Sequence, residues 1–388
     1  MNYDFDKVIN RRNTNSLKWD VAENELPMWV ADMDFPTAAP IMEAINKKLQ
    51  IGALGYSIIP EEWNEAYVNW WKQYHNFDMS PDWLIFSTGV LSALGCAVRK
   101  LTTPGEKVLI QTPVYNNFFN SIINNGRFVV ESPLHYDGGT YSMDYEQLDK
   151  DLSDPQVRMM ILCNPQNPSG RIWSPEELAR VGELCYRHHV IVISDEIHCD
   201  LTDPEKSYTP FASVNDICRN NSVSLIAPTK TFNIAGLNTA AVMVPDSLLH
   251  HKMWREMNTI EAAEPNFIAV EAAVAAFNNG REWLEQLRDY IYNNKMVCKE
   301  YIEKNISPIY MVPSEATYLL WLDCSRFCED SVELAEFIRN YSGLFLSEGA
   351  EYGKAGECFL RLNIACPREV LMDGLQRLGK SIRAYIDR

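Results

Sequence analysis

Seven short apolar segments, separated by stretches of helical pattern, most constrain how this chain of 388 residues can fold. Several of them lack alternating polar side chains, which is typical of strands covered on both faces of a sheet. Strands that alternate with helices indicate a parallel sheet between layers of crossover helices. The segments are 84–87, 107–111, 128–131, 157–163, 190–195, 223–227 and 239–244. We therefore predict an α/β fold with a mostly parallel, seven-stranded sheet.

The chain is long enough for a large domain and a smaller one. A helical pattern without glycine or proline runs from Arg281 to about Asn305 and would carry the chain from the first domain into the second. The pattern after it alternates strands and helices as in a small α+β domain. We expect an N-terminal arm with part of the small domain at 1–49, the large domain at 50–285 and the C-terminal small domain at 286–388.

The sequence clearly predicts where one helix begins. Ser174 stands at a helix N-cap position, Pro175 follows at the first helical position, and Glu177 lies three residues after the serine. This pattern predicts a capping box, in which the two side chains bond to each other's backbone amides. A helix should therefore begin at Pro175.

Charge and hydropathy argue against two kinds of partner. The chain carries 52 acidic and 35 basic residues, a formal net charge of −17, and such a surface repels the phosphate backbone of nucleic acids. Its longest apolar runs, such as 190–194, are far shorter than the ~20 residues of a membrane span. The first residues show no apolar signal-peptide segment. We expect a cytoplasmic protein that binds neither nucleic acid nor membrane.

Ten cysteines are present, but their spacing favours neither disulfides nor zinc. No CxxC pair occurs, and Cys324 with Cys328 lacks a second pair of ligands at a suitable distance. The cysteines are therefore interpreted as free thiols in a reducing compartment, and no metal site is expected.

Two turns at predicted strand ends have the chemistry of ligand contacts. The segment 87–90, Ser-Thr-Gly-Val, ends a strand and opens a helix, whose free amides and positive dipole end attract anions. An ordinary N-cap would have the same sequence. In 163–170, two Asn-Pro dipeptides and a glycine force a second turn. Because ligands of α/β sheets bind beyond the carboxyl ends of strands, an asparagine here would face a ligand, although a purely structural loop would look similar.

A carboxylate and an amine follow two further strands. Asp195 closes the run 190–195, where a carboxylate is costly to bury unless it has a partner; an N-cap or a salt bridge would also explain it. Lys230 follows the run 223–227 among small and apolar neighbours. A desolvated amine has a lowered pKa and becomes a nucleophile toward carbonyls. A lone lysine at a strand end, however, is ordinarily a surface residue.

Together, these four segments supply what pyridoxal 5′-phosphate (PLP) requires. Its aldehyde needs an amine, its pyridine nitrogen an anion, its ring oxygen a hydrogen-bond donor and its phosphate a set of N–H groups. Neither the dinucleotide-binding glycine motif nor the Walker phosphate loop occurs in the chain. PLP is therefore the predicted cofactor.

The order and spacing of these residues resemble the fold-type I, aspartate-aminotransferase-like PLP enzymes, with 28 residues from Asn167 to Asp195 and 35 from Asp195 to Lys230. The flanking segments LPMWVADMDFP at 26–36 and FLRLNIACP at 359–367 resemble the MalY/PatB family of C–S β-lyases. The resemblance implies β-elimination at the C–S bond of L-cystathionine or a related L-cysteine S-conjugate, which gives a thiol, pyruvate and ammonia. It also implies that the large domain binds PLP.

The same resemblance implies a role for each cofactor-binding residue. Lys230 would bond covalently to PLP, Asp195 would face the pyridinium nitrogen, and Asn167 would donate to the ring oxygen. Tyr115 would stack on the ring. The residues expected around the phosphate are Gly89, Val90, Thr229 and Lys230.

The resemblance also implies how the substrate is held. Arg361 would bind the substrate α-carboxylate, a task for which a planar guanidinium is better suited than lysine. Tyr56 would reach into the site of the neighbouring subunit, touching cofactor and substrate there. The protein would then be a homodimer with shared active sites, acting on a small amino-acid substrate.

Two positions depart from the aminotransferase pattern and agree with the β-lyase group. His198, expected among the cofactor contacts, stands three residues after Asp195, where aminotransferases commonly carry tyrosine. Asn238 stands eight residues after Lys230, where many of them carry a phosphate-binding arginine. Two alternatives remain open at this point. The chain could be an aminotransferase on the same scaffold, or a PLP-binding regulatory protein with secondary lyase activity, because a scaffold does not determine a function.

Overall fold

A computed structural model describes residues 3–388 of the chain. The strands are β1 (Leu26–Pro27), β2 (Leu84–Ser87), β3 (Lys107–Ile110), β4 (Phe128–Glu131), β5 (His135–Tyr136), β6 (Tyr141–Ser142), β7 (Val157–Cys163), β8 (Ile191–Asp195), β9 (Ser222–Ile226), β10 (Ala240–Met243), β11 (Tyr310–Met311), β12 (Leu319–Asp323), β13 (Leu344–Phe345), β14 (Ser347–Glu348) and β15 (Phe359–Asn363).

The helices are α1 (Ala39–Leu49), α2 (Glu61–His75), α3 (Val90–Leu101), α4 (Asn116–Ile123), α5 (Tyr145–Leu152), α6 (Pro175–Arg187), α7 (Asp216–Asn220), α8 (Pro228–Thr231), α9 (Ser247–Thr259), α10 (Ala269–Asn279), α11 (Arg281–Asn305), α12 (Ser331–Ser342) and α13 (Arg368–Ile386). Short 3₁₀ turns lie at Pro81–Trp83, Phe211–Ser213, Ala235–Leu237, Gly349–Tyr352 and Lys354–Gly356. Among the described residues, no helix combines the length and the apolar character that a membrane crossing requires.

The largest sheet has seven strands in the order β2-β10-β9-β8-β7-β3-β4. Strand β10 runs antiparallel to β2 and β9, and the remaining neighbours pair in parallel. The seven strands coincide with the seven segments predicted from the sequence to within one residue at each end. The predicted α/β fold with a mostly parallel sheet is therefore confirmed.

Both faces of this sheet are covered by helices. Along β7, Met159 and Ile161 pack in one apolar cluster with residues of α3 and α9, whereas Met160 and Leu162 pack in another with residues of α5 and α6. All four side chains are buried. Because side chains alternate between the two faces of a strand, a sheet buried on both faces requires the continuous apolar runs seen in the sequence.

A second, antiparallel sheet has the order β11-β12-β15-β14 and lies entirely in the last quarter of the chain. The start of the chain adjoins this part of the molecule, because Leu26 of β1 pairs with Leu344 of β13. The long helix α11 precedes the second sheet, at the position predicted from the sequence. On this basis we propose the domain bounds 1–49, 50–285 and 286–388.

The parallel strands end at one edge of the large sheet. Ser87, Cys163 and Asp195 are the last residues of β2, β7 and β8 at this edge. Strand β10 runs in the opposite direction, so its first residue, Ala240, lies at the same edge. The side chains next to these strand ends form the candidate site.

Candidate active site

A cavity of about 250 Å³ lies at the edge where these strands end. It brings together residues from six separate segments of the chain, between Ala31 and Thr239. The predicted site residues that line it are Gly89, Val90, Tyr115, Asn167, Asp195, His198, Thr229 and Lys230. The lysine and the aspartate, which are the centre of the predicted chemistry, thus face one common space.

Arg361 lies beside this cavity on the central strand β15 of the second sheet. Its Nη1 donates to the side-chain oxygen of Asn167 over 3.3 Å, and its Nη2 donates to the backbone carbonyl of Trp29 over 2.8 Å. The side chain is buried, and within residues 3–388 its Nε has no hydrogen-bond partner. A buried guanidinium with an unpaired donor is suited to bind a carboxylate.

Tyr56, unlike the other predicted site residues, does not contact the site in its own chain: it is absent from the cavity lining and its side chain is completely exposed. It belongs to an extended segment at 51–60 that precedes α2. Ile51, Leu54 and Ile58 on the same segment are also exposed. Within one chain, this segment leaves four large apolar or aromatic side chains in solvent.

The start of α3 offers backbone amides to the cavity. Gly89 is the N-cap residue of α3, and no side chain caps this helix start. A Cβ atom at Gly89 would come no closer than 4.0 Å to the nearest neighbour, the Ser92 hydroxyl, so the turn is open toward the cavity. Free amides and the positive helix dipole together suit a phosphate.

Lys230 lies in the short helix α8, directly after β9. Its Nζ donates to the backbone carbonyl of Ala31 over 2.6 Å. Burial lowers the pKa of this amine to about 8, and the charge of Arg361 acts in the same direction, while Asp32 and Asp195 oppose the shift. A lysine with this pKa is partly unprotonated near neutral pH and can act as nucleophile or base.

Asp195 ends β8 with a buried carboxylate that accepts a hydrogen bond of 3.2 Å from the amide of Ile197. Burial raises its pKa to about 7, although that hydrogen bond and the charge of Lys230 partly offset the shift. A carboxylate in this position gains strongly from a nearby cation. The pyridinium nitrogen of PLP would be such a cation, so the residue fits the cofactor.

His198 is buried at the same cavity, and its Nδ1 has no hydrogen-bond partner within the part of the chain that the structure describes. Burial lowers its pKa to about 3, helped by the charges of Lys230 and Arg361. The imidazole is therefore neutral and can accept or donate one hydrogen bond at that nitrogen. A buried, unsatisfied polar atom that faces a cavity is suited to contact a polar group of a bound ligand.

Sequence reasoning missed several residues of this site. Ser92, Cys163 and Thr239 line the cavity, and the buried hydroxyl of Thr239 has no partner among residues 3–388. Thr239 directly precedes β10, the antiparallel strand of the sheet. The antiparallel direction of β10 would have indicated it, because the first residue of an antiparallel strand lies beside the last residues of its two neighbours.

Ala31 lines the cavity, and the role of the backbone around it could not be derived from the sequence. Backbone carbonyls here accept hydrogen bonds from functional side chains: Trp29 from Arg361, and Ala31 from both Lys230 and Tyr318. One stretch of backbone thus contacts both the candidate substrate-binding arginine and the candidate nucleophile.

A second buried cluster lies next to the site and contains His75, Cys199 and Asp200, whose potential ligand atoms lie within 4.8 Å of one another. The Asp200 carboxylate accepts hydrogen bonds from Trp70 Nε1 at 2.9 Å, from Thr231 Oγ1 at 2.7 Å and from the His75 ring at 2.8 Å. These bonds satisfy the carboxylate, and the one from Thr231 holds the residue after Lys230 in place.

The sequence matches the family model of aminotransferase class I and II over residues 23–378. It is 40% identical to the cystathionine beta-lyase PatB of Bacillus subtilis over 97% of this chain and 99% of the relative. It is 31% identical to the protein MalY of Escherichia coli over 98% of this chain and 99% of the relative.

Solved structures with the same architecture agree with these sequence relatives. Cystalysin from Treponema denticola, which contains a PLP cofactor, superposes with a TM-score of 0.96 at 31% identity, over 99% of this chain and 100% of that one. A PLP-bound C–S lyase from Staphylococcus hominis gives a TM-score of 0.93 at 32% identity, over 98% of both chains.

Proposed function

The chain belongs to the aminotransferase class I and II family and, within it, to the MalY/PatB C–S lyases, and from that premise we propose that it is a PLP-dependent carbon–sulfur β-lyase. It cleaves the C–S bond of L-cystathionine or a related L-cysteine S-conjugate and gives a thiol, pyruvate and ammonia; with cystathionine the thiol is homocysteine. The observation that carries this function is a half-buried lysine and a buried carboxylate facing one cavity, with a buried arginine at its side.

The described residues fit PLP at each of its polar groups. Asp195 would supply the anion for the ring nitrogen, and Asn167 and His198 would offer polar contacts to the cofactor ring, since all three line the cavity. Tyr115 supplies an aromatic surface. The groups suited to the phosphate are the amides of Gly89 and Val90 and the hydroxyl of Thr229. When bound, PLP supplies an electron-withdrawing ring that stabilises negative charge on the substrate Cα.

Arg361 orients the substrate by binding its α-carboxylate. The guanidinium is fixed by Trp29 and Asn167 and retains an unpaired Nε, so binding a carboxylate satisfies a buried donor. The bond to Asn167 also links this arginine to a cofactor-binding residue, which sets the distance between the carboxylate and the ring.

Lys230 moves the proton that the elimination requires. Once its amine is free, Nζ takes the proton from the substrate Cα, and a pKa near 8 suits both uptake and release of that proton at neutral pH. The electron pair left at Cα forms a bond to Cβ as the C–S bond breaks, and the sulfur leaves with the electrons of that bond and is protonated to the thiol. Water then converts the remaining three-carbon fragment into pyruvate and ammonia.

The active protein is a homodimer with shared sites. The exposed segment with Ile51, Leu54, Tyr56 and Ile58 supports this assembly, because a patch of exposed apolar side chains is characteristic of a protein interface. Tyr56 extends from this segment into the site of the second copy. This assignment also gives a function to a tyrosine that is completely exposed in one chain.

The protein functions in the cytoplasm. Its ten cysteines are all unpaired, nine of them buried and Cys358 half-buried, which supports a reducing compartment. Substrate reaches the site as a free amino acid, and neither nucleic acid nor membrane takes part.

The test is the product balance of the purified holoenzyme with L-cystathionine. Equal amounts of pyruvate, ammonia and homocysteine are expected, and none of them with Lys230→Ala. Transfer of the amino group to 2-oxoglutarate without release of thiol would instead make the chain an aminotransferase. Tight PLP binding without turnover of either kind would favour a regulatory role.

A further inference from the structure

Tyr318 and Lys230 share one hydrogen-bond acceptor, the backbone carbonyl of Ala31. The Tyr318 hydroxyl donates to this oxygen over 3.0 Å and the Lys230 amine over 2.6 Å. A carbonyl oxygen has two lone pairs and can accept from both donors at once. We propose that Tyr318 is a positioning residue for Lys230: it holds the Ala31 carbonyl at the place where the lysine amine lies whenever that amine is free. The inference rests on the proposed function, in which Lys230 carries the substrate proton.

The backbone on both sides of Ala31 is held by side chains of other elements. Asn363 Nδ2 donates to the carbonyls of Val30 and Asp32, at 2.6 and 2.7 Å. The Asp32 carboxylate pairs in turn with Arg11, the closest N–O distance being 2.7 Å. The peptide unit between these anchors is thereby confined to a small range of orientations.

The direction of the Ala31 carbonyl itself depends on Tyr318. Within residues 3–388, Tyr318 is the only side chain other than Lys230 that donates to this oxygen. Its ring is buried directly before β12 and meets the His198 ring edge to face, with 6.4 Å between the centroids. A buried ring leaves the hydroxyl little freedom, so the carbonyl has a rigid partner.

Tyr318 acts through position and not through charge. Burial raises the pKa of its phenol far above neutral pH, so the hydroxyl stays protonated and remains a donor wherever the enzyme works. Substitution by phenylalanine removes this donor and leaves the net charge of the site unchanged. A change in the rate of proton transfer by Lys230, or in the pKa of its amine, would then reflect a changed position of the Ala31 carbonyl.

The first test is the steady-state kinetics of Tyr318→Phe holoenzyme with cystathionine. We expect kcat to fall about tenfold with KM changed less than about twofold, since the substrate-binding Arg361 is untouched. The primary isotope effect on kcat with cystathionine deuterated at Cα should increase, because a poorly placed base makes proton transfer more rate-limiting. A purely structural loss of active protein would lower the rate without changing the isotope effect.

The second test uses the apoprotein and is independent of the lyase reaction. Acetic anhydride labels unprotonated amines, and peptide mass spectrometry gives the labelled fraction of Lys230 as a function of pH. In Tyr318→Phe the labelling midpoint should move to lower pH, because the ammonium form loses a fixed acceptor. If wild type fails to release thiol, the proposed function is wrong, and this measurement still decides the role of Tyr318.

Tyr141→Phe is the matched control. Tyr141 is equally buried, its hydroxyl accepts one buried hydrogen bond, from Trp321 Nε1 at 3.0 Å, and it lies outside the cavity. The Tyr141→Phe substitution should leave both the isotope effect and the labelling midpoint of Lys230 unchanged. Asn363→Ser removes the amide that holds the carbonyls of Val30 and Asp32, so it loosens the backbone on both sides of Ala31 and should shift both measurements in the same direction as Tyr318→Phe. It serves as the second variant if Tyr318→Phe does not fold. The proposal is overturned if folded Tyr318→Phe matches Tyr141→Phe in both measurements, or, where Tyr318→Phe does not fold, if Asn363→Ser does so. A larger isotope effect or a lower labelling midpoint in Tyr318→Phe supports it, and Asn363→Ser takes its place only where Tyr318→Phe does not fold.

Discussion

Arg361 donates a hydrogen bond to Asn167 over 3.3 Å, although 194 residues separate them in sequence. One residue belongs to the second sheet and the other follows the large sheet, so this contact joins the expected substrate-binding group to the expected cofactor-binding group. The position of the substrate carboxylate relative to the cofactor ring therefore depends on how the two sheets are arranged.

Arg361→Lys should reduce kcat/KM by about 100-fold, chiefly through a higher KM. An ammonium group cannot keep the bonds to Trp29 and Asn167 and also make a bidentate contact with a carboxylate, and the loss of a charge-assisted pair corresponds to about 2–3 kcal/mol. Steady-state kinetics with cystathionine measures this. Arg339→Lys, which alters an arginine paired with Glu25 away from the cavity, is the control and should leave kcat/KM unchanged. Equal effects of the two substitutions would contradict the role of Arg361.

Lys230 in the apoprotein should titrate near pH 8. Burial disfavours its charged form, so the fraction of unprotonated amine rises as the pH passes through about 8. Exposed Lys72, whose ion pair with Asp78 raises its pKa above the ordinary value, should react only at much higher pH. Acylation of each lysine as a function of pH, followed by peptide mass spectrometry, measures both midpoints. Coinciding midpoints would show that Lys230 is not desolvated.

Asp195→Asn should lower kcat at least 100-fold, because an amide cannot keep the ring nitrogen protonated. In the apoprotein the same substitution should be favourable, because it should increase stability at higher pH. The folded pKa of Asp195 is about 7 against an ordinary value of 3.8, so the folded state binds more protons between these values, and its stability falls as the pH rises through this range. Above pH 7 the charged carboxylate is buried without its partner.

Urea unfolding of both apoproteins at pH 5 and pH 8 measures this effect. Relative to wild type, Asp195→Asn should gain about 1–3 kcal/mol of unfolding free energy between the two pH values. Glu196, whose pKa burial also raises to about 7, is present in both proteins; because the charge of Asp195 contributes to that shift, the comparison measures Asp195 together with its effect on Glu196. A gain that is the same at both pH values would show that the carboxylate is not buried in its charged form.

Ser174→Ala should destabilise the protein by about 1 kcal/mol and leave kcat unchanged. The serine hydroxyl accepts from the Glu177 amide at 3.2 Å and the Glu177 carboxylate accepts from the Ser174 amide at 2.8 Å, which is the capping box predicted from the sequence. Denaturant midpoints and steady-state rates measure the two effects. Ser153→Ala, at the C-cap position of a different helix, α5, is the control and should change the denaturant midpoint less.

The capping box and the seven strands could be predicted because both depend on neighbouring residues. Ser174 and Glu177 meet within one turn of helix, and an apolar run such as that ending at Asp195 needs only a sheet with two covered faces. The common cavity of Asp195 and Lys230 followed from the rule that parallel strands end at one edge of the sheet.

The part of the site built on Ala31 could not be predicted in this way. The Ala31 carbonyl accepts hydrogen bonds from Lys230, 199 residues away in sequence, and from Tyr318, 287 residues away. Because every residue has a backbone carbonyl, the residue type gives no indication of such a bond. The exposure of Tyr56 likewise depends on how the segment 51–60 leaves the fold, and not on local pattern. Contacts between segments that are far apart in sequence can be identified only from the folded structure.

Mixing two inactive variants should restore activity if Tyr56 works in the site of the second subunit. In a hybrid dimer of Tyr56→Ala and Lys230→Ala, one site combines the intact lysine of the first chain with the intact tyrosine of the second, and the other site carries both changes. Random exchange makes half of all dimers hybrids with one good site each, so about a quarter of the wild-type rate should return. Unfolding and refolding an equimolar mixture with PLP, followed by the pyruvate assay, measures this. No recovery, with hybrid dimers confirmed by a tag on one chain, would place Tyr56 in its own subunit's site, because then no hybrid contains a complete site. Full activity of Tyr56→Ala by itself would show that Tyr56 serves neither site.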